Sequence, residues 1–500
     1  MDMIGHMLRS SRHRARATTS LAPSRYLDVW FWIFIVAVEA LVLLLALRSP
    51  VLGAAFAGAV GVLAILARRI GTRHGTLWYG AILVAVVIIL PGDLALRYRI
   101  PVGGGGIFII DVLLALLVTS AVVVILEEGR FEVVQSPVSL PLFLFLGWTF
   151  VAAGIGWTGG NDPKLILQDG RSLWYYMLFF FAVAFITDRR HVLVFLRLLA
   201  VCMLVAFLMG VVFAAQGKGM ALGYVEPGVS RFPAPDGVFL MGSVLVTTFM
   251  VMWPAGRPRP KWMWVLLLVA LLGLLLSFVR GNWVAYCASL VYLFLMLRTR
   301  QRARLLAGSV VVALVLTAGL ALMKPALLSS LVSRALAVTA VEDRNVQWRL
   351  IENRAVGAQI ADHPLLGNGL GTEYVFDFSR YGVKPYRKSF VHNSYYSFLQ
   401  RLGIAGTALF VWWAVAFLVP WMRRRSALPT DDPWLLGIVY GGRAMAVAVL
   451  VVSITAPHLG AKTSAAVLAL VMGMSEVALA ILDQRVDGAD PGVPAQSNRE

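Results

Sequence analysis

Acidic residues are scarce in this chain. Asp and Glu number 26 against 44 Lys and Arg, and charged residues of both signs make up only 14% of 500 positions. A soluble globular domain carries about 25%, so a water-exposed globule is excluded as the main architecture. Cysteine is nearly absent. The two present, Cys202 and Cys287, fall inside apolar runs and offer neither CxxC nor metal-ligand spacing. They read as small core residues, not as a disulfide. Alternation with period 2 is missing from the apolar runs, which excludes a membrane β-barrel with its lipid-facing and lumen-facing positions in turn. No internal repeat and no low-complexity core is found.

What remains is hydrophobic length. The chain is 59% hydrophobic, with a mean hydropathy of +0.79. Apolar runs of about 18 residues or more read as membrane spans. Backbone groups in lipid need internal partners, so the spans are helices. The runs 29–47, 51–67, 77–90, 107–126, 138–157, 173–187, 191–214, 236–253, 262–279, 282–297, 306–323, 393–419, 434–454 and 464–482 are the candidates. Those at 77–90 and 173–187 are short enough to be tilted or broken. The fold expected is an all-α polytopic membrane protein of about 12–14 helices.

The formal net charge of +18 raises the question of nucleic acid, and its distribution answers it. Basic clusters sit between spans: "RSSRHRAR", "RRIGTRH", "DRRH", "GRPRPK", "RTRQRAR" and "WMRRR". With the basic N-terminus inside, the arginine clusters all fall on the same side, as the positive-inside rule requires. The N-terminus resembles a signal anchor without a small-x-small cleavage site, so retention is expected. The organisation expected is a cytoplasmic N-terminus 1–28, a helical region 29–323, a large extracytoplasmic loop 324–391, C-terminal helices 392–482 and a disordered cytoplasmic tail 483–500.

The loop 324–391 is about seventy residues long, and loops of that length without a role are uncommon. It contains an amphipathic helix, "EDRNVQWRLIENRAVGAQIA", with Trp348, Ile351, Ala355 and Ile360 near one face. "DHPLLGNGLGT" breaks that helix with Pro364 and three glycines. It lacks GxGxxG spacing and no strand precedes it, so a dinucleotide site is excluded. An irregular basic and aromatic piece, "YVFDFSRYGVKPYRKSF", follows.

Chemistry-bearing groups gather on the outer side by this parity. Arg231 lies before a span and Arg280 in an almost loop-free turn. Arg344, Arg349 and Arg354 lie on the loop helix, and His392 closes the loop. Arginine at membrane depth is costly and marks a candidate site. Guanidinium forks suit phosphate oxygens. The structural alternative is a turn-anchoring arginine. His392 is the side chain best suited to take a proton near neutral pH. Asn393 beside it reads equally as a helix N-cap. Other titratable groups on this face are Glu226, Asp236, Asp343, Glu373 and Asp377. Three charges fall inside spans: Glu39, Arg443 and Glu476. A structural ion pair between Arg443 and one of the glutamates is the favoured reading.

Four segments in order, "SRFPAPDGVFLMGSVLV", "LLLSFVRGNWVAYCASLVYLFL", "RLIENRAVGAQIADHPLLGNGLGT" and "HNSYYSFLQRLGIAGTALFVWW", carry a likeness. Over Arg231 to Trp413 the chain resembles the O-antigen ligase and polymerase superfamily of bacterial polysaccharide enzymes. The N-terminal spans match only in hydropathy. The resemblance implies a GT-C-like helical bundle in the inner membrane with its active site on the periplasmic face. It implies a glycan donor on undecaprenyl diphosphate, a glycan or lipid-linked acceptor hydroxyl, inversion, and neither metal nor cofactor. Carried over by position, His392 is the base or positions the hydroxyl, and Arg231, Arg280 and Arg349 bind the donor diphosphate. Arg344 and Arg354 compete with Arg349, and Asn393 and Asp236 support. Asp236 in "PAPDG" departs from the family's usual asparagine.

Within that class a ligase, a polymerase and a protein O-glycosyltransferase stay open. The reading from another class is a secondary transporter or lipid-linked oligosaccharide flippase, favoured only by Arg443 with Glu39; no pairing of halves is seen, which argues against it. A shape-elongation peptidoglycan glycosyltransferase would place a carboxylate at the active loop. No DxD-like carboxylate pair stands on the outer face, which argues against a two-carboxylate hydrolase.

Overall fold

The computed structural model describes residues 73–89, 99–102, 105–128, 136–216, 220–221, 230–232, 237–323, 328–329, 331–333, 344–379, 382–423, 428 and 432–488. Glu39, Glu226, Asp236, Asp343 and the expected spans 29–47 and 51–67 lie outside them, as does the tail beyond 488. The chain forms two compact units, 1–76 with 115–132 and 77–114 with 133–500. In the first, the hydroxyls of Thr76 and Ser120 share a 2.7 Å hydrogen bond. All that follows concerns the second.

The helices follow the apolar runs closely. They are α1 (Arg73–Ile89), α2 (Ile109–Glu128), α3 (Ser139–Thr158), α4 (Pro163–Trp174), α5 (Leu178–Phe185), α6 (Arg189–Ala215), α7 (Val238–Met252), α8 (Lys261–Leu276), α9 (Arg280–Met296), α10 (Thr299–Met323), α11 (Arg344–Asp362), α12 (Ser394–Leu418), α13 (Pro433–Val452) and α14 (Lys462–Gly488). Strands occur only as antiparallel hairpins among the described residues: β1 (Arg99–Val102) with β2 (Gly105–Phe108), β3 (Met220–Ala221) with β4 (Ser230–Arg231), and β5 (Tyr374–Phe378) with β6 (Val383–Lys388). Six of the described helices are long and apolar enough to cross a membrane: α3, α6, α10, α12, α13 and α14. The protein is an all-α polytopic membrane protein.

Polar residues set the helix starts. Asp188, Asn393 and Asp432 each cap a helix by accepting from backbone N–H groups one turn in. Asp432 also anchors three helix ends, because Arg189 Nε lies 2.6 Å and Arg485 Nη2 3.5 Å from its Oδ2.

The core is α13 and α14, buried along nearly their whole length. Small residues let neighbours approach, as is usual for helices in lipid. A Cβ on Gly437 would lie 2.1 Å from the Phe249 ring of α7, and one on Gly473 2.5 Å from Ala182 of α5. At the rim, α10 leaves Leu306, Val310, Val311, Leu314 and Val315 exposed, the signature of a lipid-facing helix.

Several details differ from the sequence reading. The run 173–187 is broken, one of the forms its shortness allowed: a 3-10 turn at Tyr175–Met177 precedes the short α5. The segment before it is the amphipathic α4, started by the Asp162 cap and Pro163. The piece read as irregular after the glycine turn is a β-hairpin. Tyr374, Phe376 and Phe378 alternate inward along β5, a period-2 signal masked by the basic residues of β6. Cys202 is buried as expected, but Cys287 is exposed, on the outward face of α9. α14 also runs to Gly488, past the end expected for it.

Candidate active site

α11 and the β5–β6 hairpin build a small module over the entry to α12. Its core is Val356, Tyr374, Phe376, Phe378 and Val391, flanked by Trp348, Ile351, Ala355 and Ile360. Trp348 stacks obliquely on Phe376 and Phe378 at 4.5 and 4.8 Å between ring centres. The apolar face expected of the loop helix is the face that packs here.

One residue on that packed face is not apolar. Glu352 is fully buried. Its Oε2 lies 2.6 Å from His392 Nδ1, and its Oε1 accepts the His392 backbone N–H at 2.9 Å. The Tyr374 hydroxyl is 3.0 Å from Oε1 and 2.9 Å from the Phe390 carbonyl. Lys388 Nζ is 3.6 Å from Oε2 and sits over the Trp348, Phe376 and Phe390 rings. Burial pushes the Glu352 carboxyl up, but His392 and Lys388 more than offset this and hold it below the usual carboxylate range. Burial lowers the Lys388 ammonium, against the pull of Glu352. Burial, joined by the Glu352 charge, raises the Tyr374 phenol, which stays protonated.

An ionised carboxylate only accepts. With the carboxylate ionised, Nδ1 of His392 is the donor in that bond. The His392 side chain is 31% exposed. Phe390 packs edge-on to the ring at 4.9 Å.

The turn after α11 docks this module. Gly367, Gly369 and Gly371 all have positive φ. A Cβ on Gly369 would lie 2.1 Å from the backbone nitrogen of Gly156 in α3. Asn368 N–H donates to the Gln400 carbonyl and Leu370 N–H to that of Ala152. α12 kinks to receive the turn. Gly403 takes φ 66° and ψ −172°, and the N–H groups of Ile404 and Ala405 donate to the Pro364 and Leu365 carbonyls. Arg401 Nε pairs with Asp169 of α4 at 2.9 Å, and Asp169 Oδ2 also accepts the Gly371 N–H. Burial raises the Asp169 carboxyl, opposed by Arg401 and that N–H. "HPLLGNGLG" is thus a docking motif for backbone against backbone.

The corner Val452–Leu459 packs against the starts of α7, α9 and α12. Ser394 N–H donates to the Ser453 carbonyl at 2.9 Å, which fixes His392 at one flank. At the other flank a Cβ on Gly281 would meet Thr455 Oγ1 at 2.6 Å, which fixes the start of α9 and half-buried Arg280. Gly237, at the entry to α7, abuts His458 and Ser464 beside it. Arg231 is brought to the same turn: its neighbour Phe232 donates its N–H to the carbonyl of Leu276, the last residue of α8. Arg349 is half-buried on α11, one turn before Glu352, and Arg354 is exposed. The side chains of Arg231 and Arg344, and Asp236 altogether, lie outside the described residues. Asn393 is the α12 cap: its Oδ1 accepts from Tyr395 and Tyr396 N–H at 3.0 and 3.3 Å.

Glu352 escaped the sequence reading. The available signal was its spacing. It falls one turn after Trp348 and one before Val356, an acid inside an apolar stripe.

Arg443 pairs with Glu476, Nη2 to Oε1 at 2.8 Å, and donates to Ser475 Oγ and the Val439 carbonyl. Ser136 covers the other Glu476 oxygen, and the Phe417 and Trp421 rings flank the guanidinium. This is the structural ion pair expected, with Glu476 as the partner.

Fold and site together define a multi-pass membrane protein whose distinctive polar machinery sits between α9 and α12. That stretch is also where likeness to known proteins lies: residues 265–411 match the family model described as O-Antigen ligase. The match runs from α8 through the module to α12 and supports the O-antigen ligase and polymerase superfamily. No curated protein matches the chain. Over that stretch the likeness supports a membrane enzyme of O-antigen ligase or polymerase type.

Proposed function

We propose that the protein transfers a glycan from undecaprenyl diphosphate to an acceptor hydroxyl, with His392 as base, on the extracytoplasmic face of the inner membrane. The observation that carries this reading is the buried Glu352 carboxylate on His392 Nδ1. It sets the tautomer that presents Nε2 as acceptor, the arrangement a general base needs.

The reaction balances as a single displacement. Nε2 takes the hydroxyl proton as the oxygen attacks the anomeric carbon, with inversion. The carbon–oxygen bond to phosphate breaks, and the diphosphate leaves with the electron pair. Glu352 stabilises the imidazolium formed. Arg231, Arg280 and Arg349 are the groups proposed for the growing charge on the diphosphate, since fixed guanidinium groups stabilise such charge without reorganising. The N-terminus of α9 adds its own positive end beside Arg280. Arg344 or Arg354 could substitute for Arg349 in that role without changing the scheme.

Acceptor identity, lipid A core against growing polysaccharide or protein, turns on the glycan and not on this chemistry. The test is release of undecaprenyl diphosphate from a lipid-linked donor by the purified protein. His392→Ala should lose about 10²–10⁴-fold in kcat, and undiminished turnover would overturn the assignment. The transporter reading loses its main support, because Arg443 is paired with Glu476 within the bundle.

A further inference from the structure

A second concavity lies on the outer module, and neither His392 nor Glu352 lines it. It is a cleft of about 550 Å³ between the C-terminal end of α3, the last turns of α11 and the glycine turn, with Arg387 of β6 at its wall. That size is ordinary for a small-ligand site.

Some of its polar lining is committed to the fold. Asn161 Nδ2 donates to the Leu370 carbonyl at 2.9 Å, and Gln359 Nε2 to that of Glu373 at 2.9 Å. The side chains of His363, Glu373 and Arg387 have no hydrogen-bond or ion-pair partner among the described residues, though all line the cleft. Nothing in the packing requires this mixture of charges on one wall.

The chemistry selects the ligand. Glu373 and Asp162 accept, and Arg387 and His363 donate. With carboxylates balancing the guanidinium, the wall has no surplus positive charge to hold a diphosphate. It is too polar for a prenyl chain. Sugar hydroxyls donate and accept at once, and such a mixed wall matches them.

Position links the cleft to the reaction. Gln359 lies on the same face of α11 as Glu352, two turns further on, about 10 Å by helical rise. Arg387 directly precedes Lys388, which abuts Glu352.

We propose that this cleft is a glycan subsite, holding sugars of the donor or acceptor chain beyond the unit that reacts at His392. The proposal rests on the glycosyl-transfer reading. Its test uses the full chain in detergent or nanodiscs and the double variant Glu373→Gln, Arg387→Gln. These side chains are partly or fully exposed, and an unchanged melting temperature checks the fold. The binding probe is the oligosaccharide freed by mild acid from the producing cell's own lipid-linked intermediates, without lipid or phosphate. Saturation-transfer NMR should show it bound to the wild type and to His392→Ala, and weakened at least about tenfold in the double variant. In turnover the double variant should raise KM about tenfold for one substrate and leave kcat nearly unchanged. A rise for the lipid-linked donor assigns the cleft to the donor glycan; a rise for the acceptor assigns it to the acceptor. No binding by the wild type, or equal binding and equal KM in the variant, overturns the proposal. Full turnover by His392→Ala would overturn the reaction scheme instead and leaves the binding result standing on its own.

Discussion

Glu352 is ionised in a buried place, and its charge is held by His392, Lys388 and the Tyr374 hydroxyl. Glu352→Gln keeps the shape but cannot fix the Nδ1 proton. It should lower kcat by about 10²–10⁴-fold and leave the donor KM nearly unchanged, while Glu352→Asp restores part of the rate. A purely structural role would change kcat and donor KM together and would not be rescued by Glu352→Asp. The folded pKa of this carboxyl is depressed, so it contributes stability above the unfolded value of about 4.3. That contribution is lost as pH falls through the lower folded value. A thermal-melt series in acid should show the wild type losing this increment and Glu352→Gln lacking it. His392 was legible in the sequence as a candidate because histidine is the side chain best suited to take a proton near neutral pH. Its orienting partner was not. The contact joins positions 40 residues apart, and only packing of α11 against the hairpin brings them together.

At the scale of elements, the decisive piece is the kink of α12. Gly403 occupies a backbone region that other residues enter only at about 1–3 kcal/mol. A Cβ there would also lie 2.3 Å from the Leu365 carbonyl oxygen. Gly403→Ala should lower the melting temperature in detergent and loosen the whole module, with activity falling alongside. Asn393→Ala removes the cap and should cost about 1 kcal/mol, a far smaller loss than Gly403→Ala. Spans were readable because lipid demands long apolar runs. The glycine turn was readable as a break but not as a dock, since its partners, Ala152, Gly156 and Gln400, lie far away in the chain. β5 alternates plainly, yet its helical neighbours and basic partner strand hid it.

At the scale of the whole molecule, the bundle is clamped at its centre by Arg443 and Glu476. Glu476→Ala leaves a buried guanidinium unpaired and should cost about 3–5 kcal/mol, whereas Arg443→Met with Glu476→Met should be nearly neutral. Chemical denaturation of the two variants in micelles separates these outcomes. Equal losses would argue that the pair does more than hold helices. The paired reading was available from the sequence because a charge in mid-span needs a partner; choosing Glu476 required knowing that α13 and α14 are neighbours.

The bond from Glu352 to the backbone of His392 also bears on how the protein is made. Synthesis delivers α11 to the membrane well before α12. Until the later helix threads, the carboxylate has no imidazole to orient and the glycine turn has no kink to grip. On the proposed reaction, a nascent chain stalled between them carries the arginines but not the base, so the order of translation would itself prevent premature transfer.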